Sequence, residues 1–220
     1  MIPYINIHSH KKMVSPDEMA IFNCDYDAAP IPFCSVGVHP WNSVNIHTNP
    51  HFIEESAALV AEKAINDDVI AIGEAGLDKL RGADIDVQRK LFIAQVDISE
   101  KVRKPLIIHQ VKCVDEILEI HKTLRPHQRW IIHGYRNKVE QARQLMNRGI
   151  DLSFGRYYSE PSLHLAYECN QLWLETDEAD MNIQGHYQAV ADELGVDVVE
   201  LKLKIYERAK RLSSAFCREL

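Results

Sequence analysis

Short apolar runs recur along the chain, and longer amphipathic stretches separate most of them. The runs are continuous and rich in Ile, Val, Leu and Phe, which is typical of parallel strands buried on both faces. They lie at residues 4–7, 33–38, 69–72, 106–108, 130–132, 150–154 and 172–174. A weaker run at residues 19–22 brings the number of candidate strands to eight.

The stretches between the runs have the spacing of apolar residues that helices require. Helices are predicted at residues 52–64, 87–102, 114–124 and 139–146, and two more in the tail at 184–220. Strands that alternate with helices indicate a parallel sheet with crossover connections. With eight strands, this predicts a (β/α)8 TIM-type barrel, formed as a single domain by residues 1–220. The connections around the second strand look too short for full helices, so we expect a barrel trimmed there, with strand two the shortest.

Polar, chemically active residues stand where the apolar runs end. His8 and His10 differ by two positions, so on an extended strand they point to the same face. The C-terminal ends of barrel strands lie on one rim, where we expect the candidate residues to converge. The predicted metal ligands are His8, His10, Glu74, His109, His133 and Asp177.

This set of side chains mixes imidazole nitrogens with carboxylate oxygens. Such a mixture suits Zn²⁺ and, with more oxygen ligands, Mn²⁺ or Mg²⁺. The candidate ligands outnumber the positions in one tetrahedral coordination shell, which predicts two divalent metal ions that share a carboxylate.

Seven short motifs occur in the same order as in the TatD family of metal-dependent hydrolases, which the chain resembles over nearly its whole length. They are NIHSH at 6–10, GVHPW at 37–41, GEAGLD at 73–78, PLIIH at 105–109, HGYRN at 133–137, SFG at 153–155 and LETD at 174–177. By this resemblance His8 and His10 hold one ion together with Asp177. Glu74 bridges the two ions, and His109 and His133 hold the second. The resemblance also implies a divalent-metal nuclease acting on DNA, or a hydrolase more broadly.

Several positions depart from the family pattern, and most of these would face the substrate. Trp41 replaces the second His of its motif, and residues 110–112 (QVK) stand where Ser-Arg is usual. Asn6 replaces an Asp, and residues 178–180 (EAD) replace Ala-Pro-Tyr. Loss of an imidazole and a guanidinium predicts weaker affinity for nucleic-acid phosphate.

Other residues near the strand ends are candidates for binding substrate. Lys112, Arg136 and Arg156 follow strand ends and are candidates for holding a phosphate, with a solvated surface role as the alternative for each. His39 is assigned to substrate or the outer metal shell, with a purely structural cap of its strand as the alternative. The role of Glu175, next to the ligand strand, stays open.

The predicted reaction is hydrolysis of a phosphodiester or phosphomonoester, with Asp177 as general base. The expected substrate is a phosphate-containing small molecule or a nucleic-acid end, because a net charge of -7 disfavours a broad grip on nucleic acid. Two alternatives remain: an amide or lactone hydrolase on the same metal barrel, and a metal-binding pseudoenzyme that serves as a scaffold. Five scattered cysteines without a CxxC pair, no secretory signal and no membrane span favour a cytoplasmic location.

Overall fold

The structure, a computed structural model, describes residues 2–11, 15–213 and 216. Within this part of the chain, eight strands form one sheet in the order β1 to β8, and seven α-helices accompany them. The strands are β1 (Tyr4–Ser9), β2 (Glu18–Asp25), β3 (Cys34–Gly37), β4 (Val69–Asp78), β5 (Leu106–Val111), β6 (Trp130–Ile132), β7 (Asp151–Phe154) and β8 (Leu172–Leu174). The helices are α1 (Phe52–Ala64), α2 (Ile85–Val102), α3 (Val114–Leu124), α4 (Val139–Met146), α5 (Glu160–Glu168), α6 (Ile183–Leu194) and α7 (Val198–Leu212).

The prediction that strand two is the shortest is wrong. β2 has 8 residues, whereas β6 and β8 have 3 each. β2 extends beyond its apolar run because the polar residues at both ends find partners. Glu18 accepts a hydrogen bond from the Asn6 side chain at 2.8 Å, and Asn23 accepts one from the backbone N–H of Glu74 at 2.9 Å. Paired in this way, polar residues can be held inside a sheet.

The trimming around β2 is observed in the described residues, since no helix lies between β1 and β2 or between β2 and β3. Two elements were not anticipated from the periodicity. One is a 3-10 helix at Pro40–His47, and the other is α5, which has a proline in its first turn. The proline fixes a helical φ at the start of α5, where its missing N–H costs nothing. Of the tail beyond residue 213, only Phe216 is described.

The chain divides into two compact units. The terminal unit comprises residues 1–22 and 132–220, and the middle unit comprises residues 23–131.

In the terminal unit, Ser9 at the end of β1 forms a parallel bridge with Asp177, which follows β8. The hydroxyl of buried Tyr187 on α6 donates to the backbone oxygen of Ile5 at 2.8 Å, which ties α6 to β1. Asn182 and Asp197 precede α6 and α7 as N-cap residues, and their side chains accept backbone N–H groups of the first turn.

In the middle unit, β3, β4 and β5 pair in parallel. Gly37 permits a close approach of β3 to β4, because an added Cβ would lie 2.7 Å from Cα of Gly73. Gln95 on α2 then spans the end of β3, accepting from the backbone N–H of Val38 at 2.6 Å and donating to its oxygen at 3.0 Å.

None of the helices in the described ranges combines the length and the apolar character that crossing a membrane requires.

Candidate active site

The terminal unit gathers two histidines and an aspartate, which we call the histidine–aspartate cluster (His8, His10 and Asp177). His8 lies in β1 and His10 just beyond it, and Asp177 follows β8. The two chain segments are joined by backbone hydrogen bonds, from Asp177 N to His8 O at 3.0 Å and from His10 N to Asp177 O at 3.1 Å. The backbone pairing of β1 with the segment that follows β8 thus fixes the position of the Asp177 carboxylate.

The distances within this cluster fit a shared divalent ion. Nε2 of His8 and Nε2 of His10 lie 3.6 and 3.5 Å from Oδ1 of Asp177. Ligand atoms held tetrahedrally at about 2.1 Å from an ion are separated by about 3.4 Å. His8 is fully buried, whereas the side chains of His10 and Asp177 keep 33% and 40% of their exposure, so solvent reaches one side of the cluster.

His133 and Glu175 complete the polar interior of the terminal unit. His133 follows β6, and its ring centroid lies 4.4 Å from that of His8. Its Nδ1 is 3.6 Å from Oε1 of Glu175, which is fully buried and accepts a hydrogen bond from the backbone N–H of Gly134 at 2.7 Å. Burial opposes the charge on Glu175, but the neighbouring His133 and His8 outweigh it and keep the pKa of this carboxyl below its ordinary value. His133, Glu175 and Asp177 also offer ligand atoms close enough to share an ion.

The middle unit contains a second group, the histidine–glutamate cluster (His39, Glu74 and His109). Glu74 lies in β4 and His109 in the adjacent β5. Oε1 of Glu74 is 2.7 Å from Nδ1 of His109 and 3.2 Å from Nε2 of His39. The two ring nitrogens are 3.2 Å apart. His39, predicted to touch substrate or the outer shell, is therefore also a candidate metal ligand.

Asp78 is a site residue that the sequence reasoning left unassigned. Its Oδ2 accepts a hydrogen bond from Nε1 of Trp41 at 2.7 Å and lies 3.3 Å from Nε2 of His109. Burial raises the pKa of Asp78, but hydrogen bonds from Trp41, Leu80 and His109 outweigh it, so the pKa falls below its ordinary value. A carboxylate behind a ligand histidine fixes which ring nitrogen faces the ion. The sequence signal that could have identified Asp78 was its spacing from Glu74, since residues four apart on a regular strand share a face.

The structure brings the six predicted ligands together in two groups, one in each unit, and their convergence on a single centre stays a prediction. The predicted phosphate-binding residues Lys112, Arg136 and Arg156 are exposed, and each follows a strand closely. Their role in binding substrate also stays a prediction.

Solved structures share this fold over almost the whole chain. YjjV, a TatD homologue from Escherichia coli K12, has a TM-score of 0.78 at 16% identity, covering 97% of this chain and 99% of that one. A TatD family hydrolase from Entamoeba histolytica has a TM-score of 0.75 at 15% identity, covering 96% and 97%. The predicted (β/α)8 barrel is confirmed, and the fold is that of TatD homologues.

The family model described as TatD related DNase matches residues 25–213. The chain therefore belongs to this family, as its motifs indicated. YabD of Bacillus subtilis, named a metal-dependent hydrolase, is 29% identical over 125 residues, which are 56% of this chain and 47% of YabD. TatD of Mycobacterium tuberculosis, also named a metal-dependent hydrolase, is 26% identical over 128 residues, 55% of this chain and 46% of that protein. The chain spans about half the length of the curated relatives that it matches.

Proposed function

We propose that this protein is a divalent-metal-dependent hydrolase of phosphate esters. The observation that carries the proposal is the geometry of the histidine–aspartate cluster, where two imidazole nitrogens approach one carboxylate oxygen at 3.5–3.6 Å. Membership of the TatD related DNase family supports the same reaction class.

Each cluster offers a donor set for one ion. His8, His10 and Asp177 would hold the first, and Glu74 and His109 would belong to the second. A bound Zn²⁺, Mn²⁺ or Mg²⁺ supplies an acidified water and neutralises charge on the phosphoryl oxygens. The sharing of Glu74 between two ions, and the assignment of His133 to the second ion, rest on the family resemblance.

Asp177 is our candidate for the general base. Its Oδ1 faces both histidines, while the half-exposed carboxylate keeps contact with solvent. The second oxygen, Oδ2, would take the proton from the attacking water as its oxygen bonds to phosphorus, while the bond from phosphorus to the alcohol oxygen breaks and the departing alcohol takes up a proton from solvent.

The substrate that we propose is a small phosphate ester or the end of a nucleic acid. The net charge of -7 disfavours binding along an extended duplex, because such binding requires many phosphate contacts from Lys and Arg. The exposed cations Lys112, Arg136 and Arg156 follow β5, β6 and β7, and we propose each of them separately as a candidate for a phosphate contact.

The test compares hydrolysis of bis(p-nitrophenyl) phosphate and single-stranded DNA in Mn²⁺, Zn²⁺ or Mg²⁺. Asp177→Asn should lower kcat by a factor of about 10²–10⁴, the usual contribution of a positioned base. Asp180→Asn is the matched control, because Asp180 is exposed and pairs with Lys11 at 3.0 Å; it should retain parental turnover.

The alternatives predict different results. Turnover of amides or lactones without ester hydrolysis would point to the other hydrolase class. Bound metal with no turnover of any of these substrates would indicate the pseudoenzyme scaffold.

A further inference from the structure

A cation is stacked on an exposed aromatic ring beside the histidine–glutamate cluster. Cζ of Arg81 lies 3.5 Å from the centroid of the Trp41 ring, and 37% of Trp41 is exposed. The Trp41 ring lies against the rings of His39 and His109, with centroid distances of 4.5 and 5.8 Å. The stack therefore adjoins candidate metal ligands within the middle unit.

One carboxylate holds the Trp41 ring and the backbone of Arg81. Oδ2 of Asp78 accepts from Nε1 of Trp41 at 2.7 Å, and Oδ1 accepts from the backbone N–H of Arg81 at 3.2 Å. The side chain of buried Gln88 donates to the backbone oxygen of Arg81 at 3.0 Å. The indole orientation and the loop that carries Arg81 are thus set before any ligand arrives, which lowers the entropy cost of binding.

The chemistry of the stack matches two adjacent parts of a nucleotide. A guanidinium lying on an aromatic face keeps the N–H groups at its edge available for oxyanions. Planar indole and guanidinium surfaces both stack on nucleobases, largely without regard to base identity. With Trp41 in place of the family histidine, the chain lacks one imidazole at this position. Arg81, which lies outside the family motifs, provides a guanidinium beside it.

We infer that Trp41 and Arg81 form a nucleotide subsite, in which a base stacks on the pair and the Arg81 edge contacts the phosphate of the same nucleotide. This inference deepens the proposed phosphoesterase function and rests on it for the identity of the substrate. It favours an ester of a nucleoside over an ester of a small alkyl alcohol.

Binding can be measured without turnover, because Trp41 is the exposed tryptophan of the three in the chain. Trp130 and Trp173 are 1% and 0% exposed. Thymidine 5′-monophosphate should quench the fluorescence of the EDTA-treated, metal-free protein saturably, and inorganic phosphate should not. Arg81→Ala should raise the Kd for the nucleotide about tenfold. Arg89→Ala is the matched control, since Arg89 lies in the same unit and pairs with Glu119 at 2.7 Å; its Kd should equal that of the parent.

Hydrolysis rates provide a second measurement, in which both substrates release the same leaving group, p-nitrophenol. The kcat/KM ratio between thymidine 5′-(p-nitrophenyl phosphate) and methyl p-nitrophenyl phosphate should fall about tenfold in Arg81→Ala. Hydrolysis of both esters with an unchanged ratio and an unchanged nucleotide Kd would overturn the subsite and leave the phosphoesterase function standing. Nucleotide binding that depends on Arg81, without hydrolysis of either ester, would support the subsite and refute the phosphoesterase function.

Discussion

Replacing Glu175 by Gln should weaken metal binding while the fold is retained. Glu175 is fully buried, and its Oε1 is 3.6 Å from Nδ1 of His133. A carboxylate at that nitrogen keeps the proton on Nδ1 and leaves Nε2 to face an ion. Glutamine is nearly the same size and still offers an oxygen to the backbone N–H of Gly134, so the structural hydrogen bond at 2.7 Å can persist.

The expected loss follows from the removal of one buried negative charge beside a ligand histidine. Loss of such an outer partner lowers metal affinity by about tenfold to a hundredfold, or about 1.4–2.7 kcal/mol. Isothermal titration with Zn²⁺ or Mn²⁺ measures this change directly. Thermal unfolding of the metal-free variant shows whether the fold is intact.

Glu193→Gln provides the matched control for this measurement. Glu193 also faces a histidine in the terminal unit, with its Oε1 3.3 Å from Nε2 of His164, but both side chains are substantially exposed. Its replacement should leave metal affinity unchanged. If Glu175→Gln bound metal as tightly as the parent, with an intact fold, the positioning role of Glu175 would be refuted.

Three further predictions concern stability. Arg208→Ala should destabilise the protein by about 3–5 kcal/mol in urea unfolding, because it removes the cation that is paired with the fully buried Asp151 carboxylate; a loss under 1 kcal/mol would contradict this. Gln88→Ala should lower the free energy of unfolding by about 1–3 kcal/mol and expose residues 79–83 to limited proteolysis, since the Gln88 amide hydrogen-bonds to several backbone groups at that loop. An unchanged cleavage rate would show that these hydrogen bonds do not hold the loop. Gly37→Ala should cost about 1–3 kcal/mol in thermal or urea unfolding, because the new methyl would meet the β4 backbone at 2.7 Å; parental stability would show that the strands can separate there.

Local periodicity predicted most of the strands and helices because their apolar residues are continuous or regularly spaced. It misjudged β2, whose length depends on hydrogen bonds from Asn6 to Glu18 and from Glu74 to Asn23. Such pairings join residues distant in the sequence, so no local pattern encodes them.

The candidate site was likewise predictable where it depends on local spacing and not where it depends on distant contacts. The spacing of His8 and His10 was sufficient to place both on one side of β1. Asp177 lies beyond the end of β8 with a positive φ of 51°, so strand alternation alone does not orient it. Arg81 was missed altogether, because its partner Trp41 is distant in the sequence and the contact depends on the 3-10 helix at Pro40–His47 meeting the loop after β4.

The bridge between Ser9 and Asp177 has a consequence for how the protein is made. The histidine–aspartate cluster takes His8 from the start of the chain and Asp177 from near its end, and Tyr187 bonds to Ile5 across 182 residues. Loop closure on that scale is slow compared with local helix formation. A nascent chain emerging from the ribosome would therefore carry both histidines long before it could complete this cluster. Metal binding by the complete cluster would therefore follow the synthesis of residue 177.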